Sequence, residues 1–223
     1  MIQRKKLQNL LQFKDVDFSN IHLRLKTKPK SLTFGRCLYT FEYQQQHYWL
    51  KKQSLSSHSS VEAGFWNELV FYQQFSAQAS SSSSMPDFLL PFQIISHFKN
   101  LAESNLSGSA ALILSDADLL LDDCAGMSLQ QIKQTCIKLL DAVEQLHQLG
   151  WIHGDLKREH LVAYQNRACL IDFEQVQKIN AVHPLKSLTA TPRYMAPELF
   201  QGADKTVQTD IYALGIILYE WLS

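Results

Sequence analysis

Two short apolar runs, Leu161-Val162-Ala163 and Ala168-Cys169-Leu170-Ile171, stand four residues apart. The connector Tyr164-Gln165-Asn166-Arg167 allows little but a hairpin. The outer ends of a hairpin lie side by side. Asp155, in the loop before the first run, and Asp172, directly after the second, are therefore expected to face one cleft. One acid there could accept a proton while the other holds a metal ion. On two aspartates alone, a pair of acidic turn residues is the simpler account.

The segments around this hairpin supply context. Upstream, Ser128 with Gln131 three residues on spells a capping box. Leu129, Ile132, Cys136, Leu139, Val143 and Leu146 then keep a helical period, and Gly150 supplies a stop. Earlier, residues 33–52 read as a hairpin of β-branched and aromatic residues around a polar QQQ turn. Next comes VEAGFWNELVFYQQF, a helix with Phe65, Leu69, Tyr72 and Phe75 on one face. The serine run 80–84 reads as a flexible loop, followed by the strand-like PFQIISHF and ALILS. Strands dominate early with one helix among them, and helices dominate late, which predicts an α+β chain with a ligand cleft between two lobes.

Composition excludes other classes. The chain has 223 residues, 46% hydrophobic and 19% charged, which suits a globular fold with a full core. Its four cysteines, Cys37, Cys124, Cys136 and Cys169, form no CxxC, so neither a zinc site nor a disulfide scaffold is expected. They suit a reducing compartment, and a cytoplasmic location is expected. The charged start is followed by no apolar h-region, and Ile211 to Leu222 is too short to span a bilayer, so a soluble protein is expected. Net charge is zero but uneven. Residues 1–30 carry eight Lys/Arg against Asp15 and Asp17, and the rest is acidic in balance. This basic arm either meets an anionic surface or is a solvated leader lying against the chain's own acidic body.

The stretch HGDLKREH, residues 153–160, resembles the protein kinase catalytic-loop pattern H-R-D-L-x-x-x-N, and Ile171-Asp-Phe-Glu174 resembles D-F-G. TPRYMAPE, residues 191–198, is similar to the end of a Ser/Thr-kinase activation segment, and TDIYALGIILYEWL, 209–222, to the buried helix beyond it. HYWLKK supplies a strand lysine and FWNELVFY a helix glutamate, Glu68. These elements follow family order over residues 33–222. The resemblance implies an α+β bilobal kinase-like fold, with a small β-rich N-lobe and a helical C-lobe. Its boundaries would be a basic leader 1–32, an N-lobe 33–115 and a C-lobe 116–223. Because related kinases continue with further helices, the C-lobe is expected to be truncated after the long buried helix, unless this is a minimal fold.

The resemblance also implies roles. Lys51 would reach the α/β-phosphates and pair with Glu68. Asp155 would orient and deprotonate the attacking hydroxyl, Lys157 would neutralise charge on the transferred phosphoryl group, and Asp172 would hold Mg²⁺. Thr191 would bond back to the catalytic loop and Asp210 would fix its backbone, although Thr191 also reads as an ordinary loop residue and Asp210 is architectural in any case. Departures from the family pattern accompany these matches. Gly35 stands for the third glycine of the phosphate loop, while Lys30 and Leu32 occupy the first two places. Trp49 stands two before Lys51, where the family places a small residue. A register using Lys52 with Leu50 is the alternative. Gly154 replaces an arginine that would clamp a phosphorylated activation loop, so activation by phosphorylation is less expected. His160 replaces the metal-binding Asn and favours Mn²⁺ alongside Mg²⁺. Glu174 replaces a glycine, stiffening the segment and adding a carboxylate near the metal. The His160 spelling and the bulky Trp49 are similar to bacterial lipopolysaccharide-core kinases.

Three functions follow from this resemblance. One is an ATP-dependent bacterial-type Ser/Thr kinase with a protein substrate. The second is a kinase for a sugar or glycolipid acceptor, and the third is a pseudokinase binding module. No nucleic-acid partner is expected.

Overall fold

The computed structural model describes residues 13, 18, 21–27, 36–53, 59–78, 85–96, 110–121, 126–181 and 191–222. Gly35, Lys30, Leu32, Cys124, the serine run and most of the leader lie outside these residues. The chain divides into two compact units, one of Met1–Met85 with Leu90–Asp116, the other of Pro86–Leu89 with Ala117–Ser223.

Among the described residues, the first unit is a five-stranded antiparallel sheet with one helix. Its strands are β1 (Arg24–Leu25), β2 (Arg36–Tyr43), β3 (Gln46–Gln53), β4 (Phe92–Ile95) and β5 (Ala111–Ser115), in the order β1-β2-β3-β5-β4. The hairpin turn is tighter than the polar QQQ suggests. Only Gln44 and Gln45 lie outside the strands, both at positive φ (51° and 61°), and Gln46 already pairs with Tyr43. Two left-handed residues are what the twist of a two-residue hairpin demands.

The alternation of β3 sorts its side chains to opposite faces. Tyr48 and Leu50 bury into a cluster with Phe41, Tyr39, Cys37 and Ile113. Phe13 and Phe18, from the stretch read as a leader, belong to that same cluster. Phe13 lies 5.1 Å edge-on to Tyr48, and Phe18 lies 5.8 Å from Phe41. Backbone N–H of Phe13 donates to Gln93 Oε1 at 2.6 Å, and Leu38 N–H donates to Thr27 Oγ1 at 2.6 Å. Burying one such ring is worth about 1.5–3 kcal/mol, so these residues are part of the sheet's core. Helix α1 (Ser59–Gln78) buries Phe65, Leu69, Tyr72 and Phe75, and Tyr72 packs 4.6 Å from Phe92 of β4.

The second unit carries the three-stranded sheet β6-β8-β9, from β6 (Asp118–Leu119), β8 (Leu161–Tyr164) and β9 (Arg167–Leu170). A further pair joins β7 (Trp151–Ile152) to β10 (Gln177–Lys178). The β8–β9 turn is again shorter than the sequence suggests. Tyr164 pairs with Arg167, and Gln165 and Asn166 alone turn, at φ 48° and 65°. Helix α2 (Leu129–Gln148) opens on the capping box: Gln131 N–H donates to Ser128 Oγ at 3.3 Å, and Ser128 N–H to Gln131 Oε1 at 2.8 Å. Ile132, Leu139, Val143 and Leu146 are buried, as is Ala142, but Leu129 is 72% exposed.

Phe88 and Leu89 complete this unit from far upstream. Leu170 N–H donates to the Phe88 carbonyl at 2.8 Å, and the Phe88 ring lies 6.3 Å from Phe173. A single turn, α3 (Pro197–Phe200), precedes the last helix, α4 (Val207–Leu222). No helix among the described residues is long and apolar enough to cross a membrane.

Candidate functional site

In the first unit, β3 and α1 bring Lys51 and Glu68 together, with Lys51 Nζ 2.7 Å from Glu68 Oε2. The glutamate is fully buried. Its neighbour Lys52 points the other way and is 1% exposed. Burial pulls its pKa down to about 8 from 10.5, against a raising influence from Cys37. Between the two registers open in the sequence, it is Lys51 that meets the helix glutamate. Trp49 shares the Lys51 side of the strand, and its indole N–H donates to Asp116 Oδ1 at 2.6 Å.

In the second unit, the loop after β7 is built around Asp210, which sits in the first turn of α4 and is 1% exposed. Its carboxylate accepts from the backbone N–H of His153 at 2.8 Å and of Gly154 at 3.0 Å, and His147 Nε2 lies 2.9 Å away. His153 is fully buried beside it. Its Nε2 donates to the Ile171 carbonyl at 3.1 Å, and its Nδ1 faces the Asp155 N–H at 3.4 Å. That is the neutral ring. Desolvation holds its pKa at about 4, helped by His160 and opposed by Asp210 and Asp155.

This frame delivers Asp155 to a polar cluster. One carboxylate oxygen accepts the Thr191 N–H at 2.9 Å, and the other lies 3.0 Å from Lys157 Nζ. Lys157 also reaches Thr191 Oγ1 at 3.4 Å. His160 bridges the two aspartates. Its Nδ1 lies 2.9 Å from the Asp155 carbonyl and its Nε2 lies 3.0 Å from Asp172 Oδ2. Asp172 itself stands at φ 64°, left-handed backbone that aspartate tolerates better than most residues. A carboxylate oxygen of Glu174 lies within 4.8 Å of one from Asp172.

The donor set fits a divalent cation. Asp172 and Glu174 offer carboxylate oxygens within 4.8 Å of one another, the hard donors that such ions take. Asp172 with Glu174 could hold such an ion; His160 Nε2 stands 3.0 Å from Asp172 Oδ2 but forms no three-ligand group with these carboxylates among the described residues.

A family model described as the protein kinase domain matches residues 100–223. The chain belongs to the protein kinase family. A dual serine/threonine and tyrosine protein kinase from Apis mellifera is 38% identical over 117 residues, covering 50% of this chain and 12% of the relative. The human serine/threonine-protein kinase PAK 4 is 36% identical over 96 residues, covering 42% of this chain and 16% of the relative. The chain thus spans about an eighth to a sixth of these relatives' length. Membership implies ATP and a divalent metal in general terms.

Of the residues selected from sequence, this kinase-family chain groups Lys51 with Glu68, and Asp155 with Lys157, His160, Asp172 and Thr191. Gly35 lies outside the described residues. Sequence reading missed His147 as a partner of Asp210, and it missed Lys205. His147 sits in the last turn of α2, where a cation is favoured at the helix end, so position offered a faint signal. No local pattern marks Lys205. The end of the activation-segment motif is anchored by Glu220 of α4, which takes Arg193 Nε at 2.6 Å and the Tyr194 hydroxyl at 3.1 Å.

Proposed function

We propose that this chain transfers the γ-phosphoryl group of ATP to a serine or threonine hydroxyl of a protein. The observation that carries the reading is the Asp155 carboxylate, 11% exposed, held by the Thr191 N–H and by Lys157. Both contacts fix its direction and place it as a base for an acceptor hydroxyl. Asp155 would orient the acceptor hydroxyl and take its proton as the oxygen–phosphorus bond forms and the bond to the ADP oxygen breaks. Lys157, 3.0 Å from it, would offset negative charge on the phosphoryl oxygens. Lys51, fixed by Glu68, would bind the α/β-phosphates. A divalent cation held by Asp172 with Glu174 would neutralise charge on the phosphates when bound, and the His160 imidazole beside Asp172 is the feature that would admit Mn²⁺ alongside Mg²⁺.

A bacterial-type kinase would agree with the His160 spelling, while the relatives named above are eukaryotic. Cytoplasmic action is supported by Cys37, Cys136 and Cys169 standing outside any disulfide among the described residues. The acceptor panel that tests the proposal is a generic protein, a deacylated glycolipid and the chain itself, each with labelled ATP. Asp155→Ala should lower kcat about 10²–10⁴-fold, on the order of 3–5 kcal/mol of transition-state stabilisation, with ATP affinity unchanged. Transfer to the glycolipid alone would replace the protein acceptor. Nucleotide binding with no transfer by the wild type would make this a binding module.

A further inference from the structure

Lys205, in the loop between α3 and α4, is 7% exposed although it carries an ammonium group. Nothing in its neighbourhood is a conventional ion-pair partner within contact distance among the described residues. Its Nζ instead donates to Gln175 Oε1 at 2.9 Å, and its carbonyl accepts from Gln177 Nε2 at 3.0 Å. These two glutamines stand three and five residues after Asp172, at the start of the activation segment. The stem of the lysine lies on Gly154. A Cβ placed there would come 3.0 Å from Lys205 Cδ, 3.3 Å from Nζ and 2.5 Å from the Gln175 carbonyl oxygen. The missing side chain at 154 is therefore the room in which Lys205 lies. Burial lowers the lysine's pKa, while Asp155 and Asp210 oppose that and favour the charged form.

We propose that Lys205 is a positioning residue for Asp155, a resident cation seated on Gly154 that ties the 153–155 loop to residues 175–177. It supplies from within the chain a cross-link between catalytic loop and activation segment that needs no covalent modification. Two contacts to the segment and a tight seat against the loop make the tie short. The nearby charges of Asp155 and Asp210 make a cation, rather than any long side chain, the fitting occupant. This inference rests on the reading of Asp155 as the base.

The test compares wild type with Lys205→Met, which keeps length and loses charge, and Lys205→Gln, which keeps a donor for Gln175 without charge. Steady-state kinetics with ATP and a protein acceptor are combined with site-resolved amide hydrogen exchange and thermal unfolding. Both variants should remain folded and keep KM for ATP within about twofold. Their kcat should fall about tenfold to a hundredfold, the scale of a small misplacement. Exchange should accelerate at 154–155 and 175–177 alone. A wild-type kcat in Lys205→Met overturns the proposal even where exchange rises, and so does a fall in kcat that tracks a general loss of folding. Should wild type transfer no phosphate, the kinase reading fails by itself. Exchange then decides the tie, and unchanged protection at 154–155 and 175–177 in Lys205→Met overturns it.

Discussion

Removing Asp210 should destabilise the centre of the second unit without touching any reacting group. Its carboxylate takes two backbone N–H groups, at 2.8 and 3.0 Å, and faces His147 Nε2 at 2.9 Å. In Asp210→Ala the two peptide donors stay buried with no acceptor, at about 1–3 kcal/mol each. Relief of the buried charge's own desolvation returns part of this. The net follows the usual cost of breaking a buried charged network, about 3–5 kcal/mol. That is a large share of a total stability on the order of 5–15 kcal/mol. Asp210→Asn keeps one acceptor oxygen but turns an amide donor towards another donor, so its loss should be about 1.5–3 kcal/mol, the value of one charged hydrogen bond. Urea unfolding followed by far-UV circular dichroism gives both numbers, provided the m-value stays constant. A loss below about 1 kcal/mol in Asp210→Ala would refute the argument that this carboxylate satisfies the loop backbone.

Two further outcomes are expected. His153 has a folded pKa of about 4 against 6.5 when free. The unfolded chain therefore takes up a proton first as pH falls, and stability present above pH 6.5 should drain away down to pH 4, by about 3 kcal/mol. A urea series across that range should show this acid slope in wild type and a shallower one in His153→Gln; equal slopes would remove His153 as the cause. Gly154→Ala meets the Gln175 carbonyl at 2.5 Å and a φ of +79°, so it should cost about 2–4 kcal/mol. Gly202→Ala, at φ +82° in open space, should cost only about 1 kcal/mol in the same unfolding assay.

What could be read from the sequence was local in origin. The capping box of Ser128 and Gln131, the two hairpins and the apolar face of α1 each rest on residues a few positions apart. Their signals are propensity and period. Turn lengths were overestimated because polarity does not reveal which residues take positive φ. The candidate site was legible as a motif order, since HGDLKREH and IDFE carry their chemistry in short runs. Its support was not. Asp210 meets His153 across 57 positions, Lys205 meets Gln175 across 30, and Phe13 meets Gln93 across 80. Such contacts follow from packing, and no periodicity announces them. Phe13 and Phe18 stood in a stretch whose basic charge suggested solvent, and only the aromatic face of the β2–β3 hairpin gives them a place.

The strip Phe88-Leu89 bears on how the chain is made. Its carbonyl partner, Leu170 N–H, lies 82 residues downstream, and both side chains are buried in the finished unit. At synthesis rates of about 5–20 residues per second, roughly 4–16 s pass between emergence of the two. For that interval two large apolar side chains have no partner in their own unit, while the strands on either side of them can already pair. This is the window in which a nascent chain would recruit a holdase chaperone or aggregate. Slowing translation between residues 90 and 170 should therefore lower soluble yield more than slowing it later.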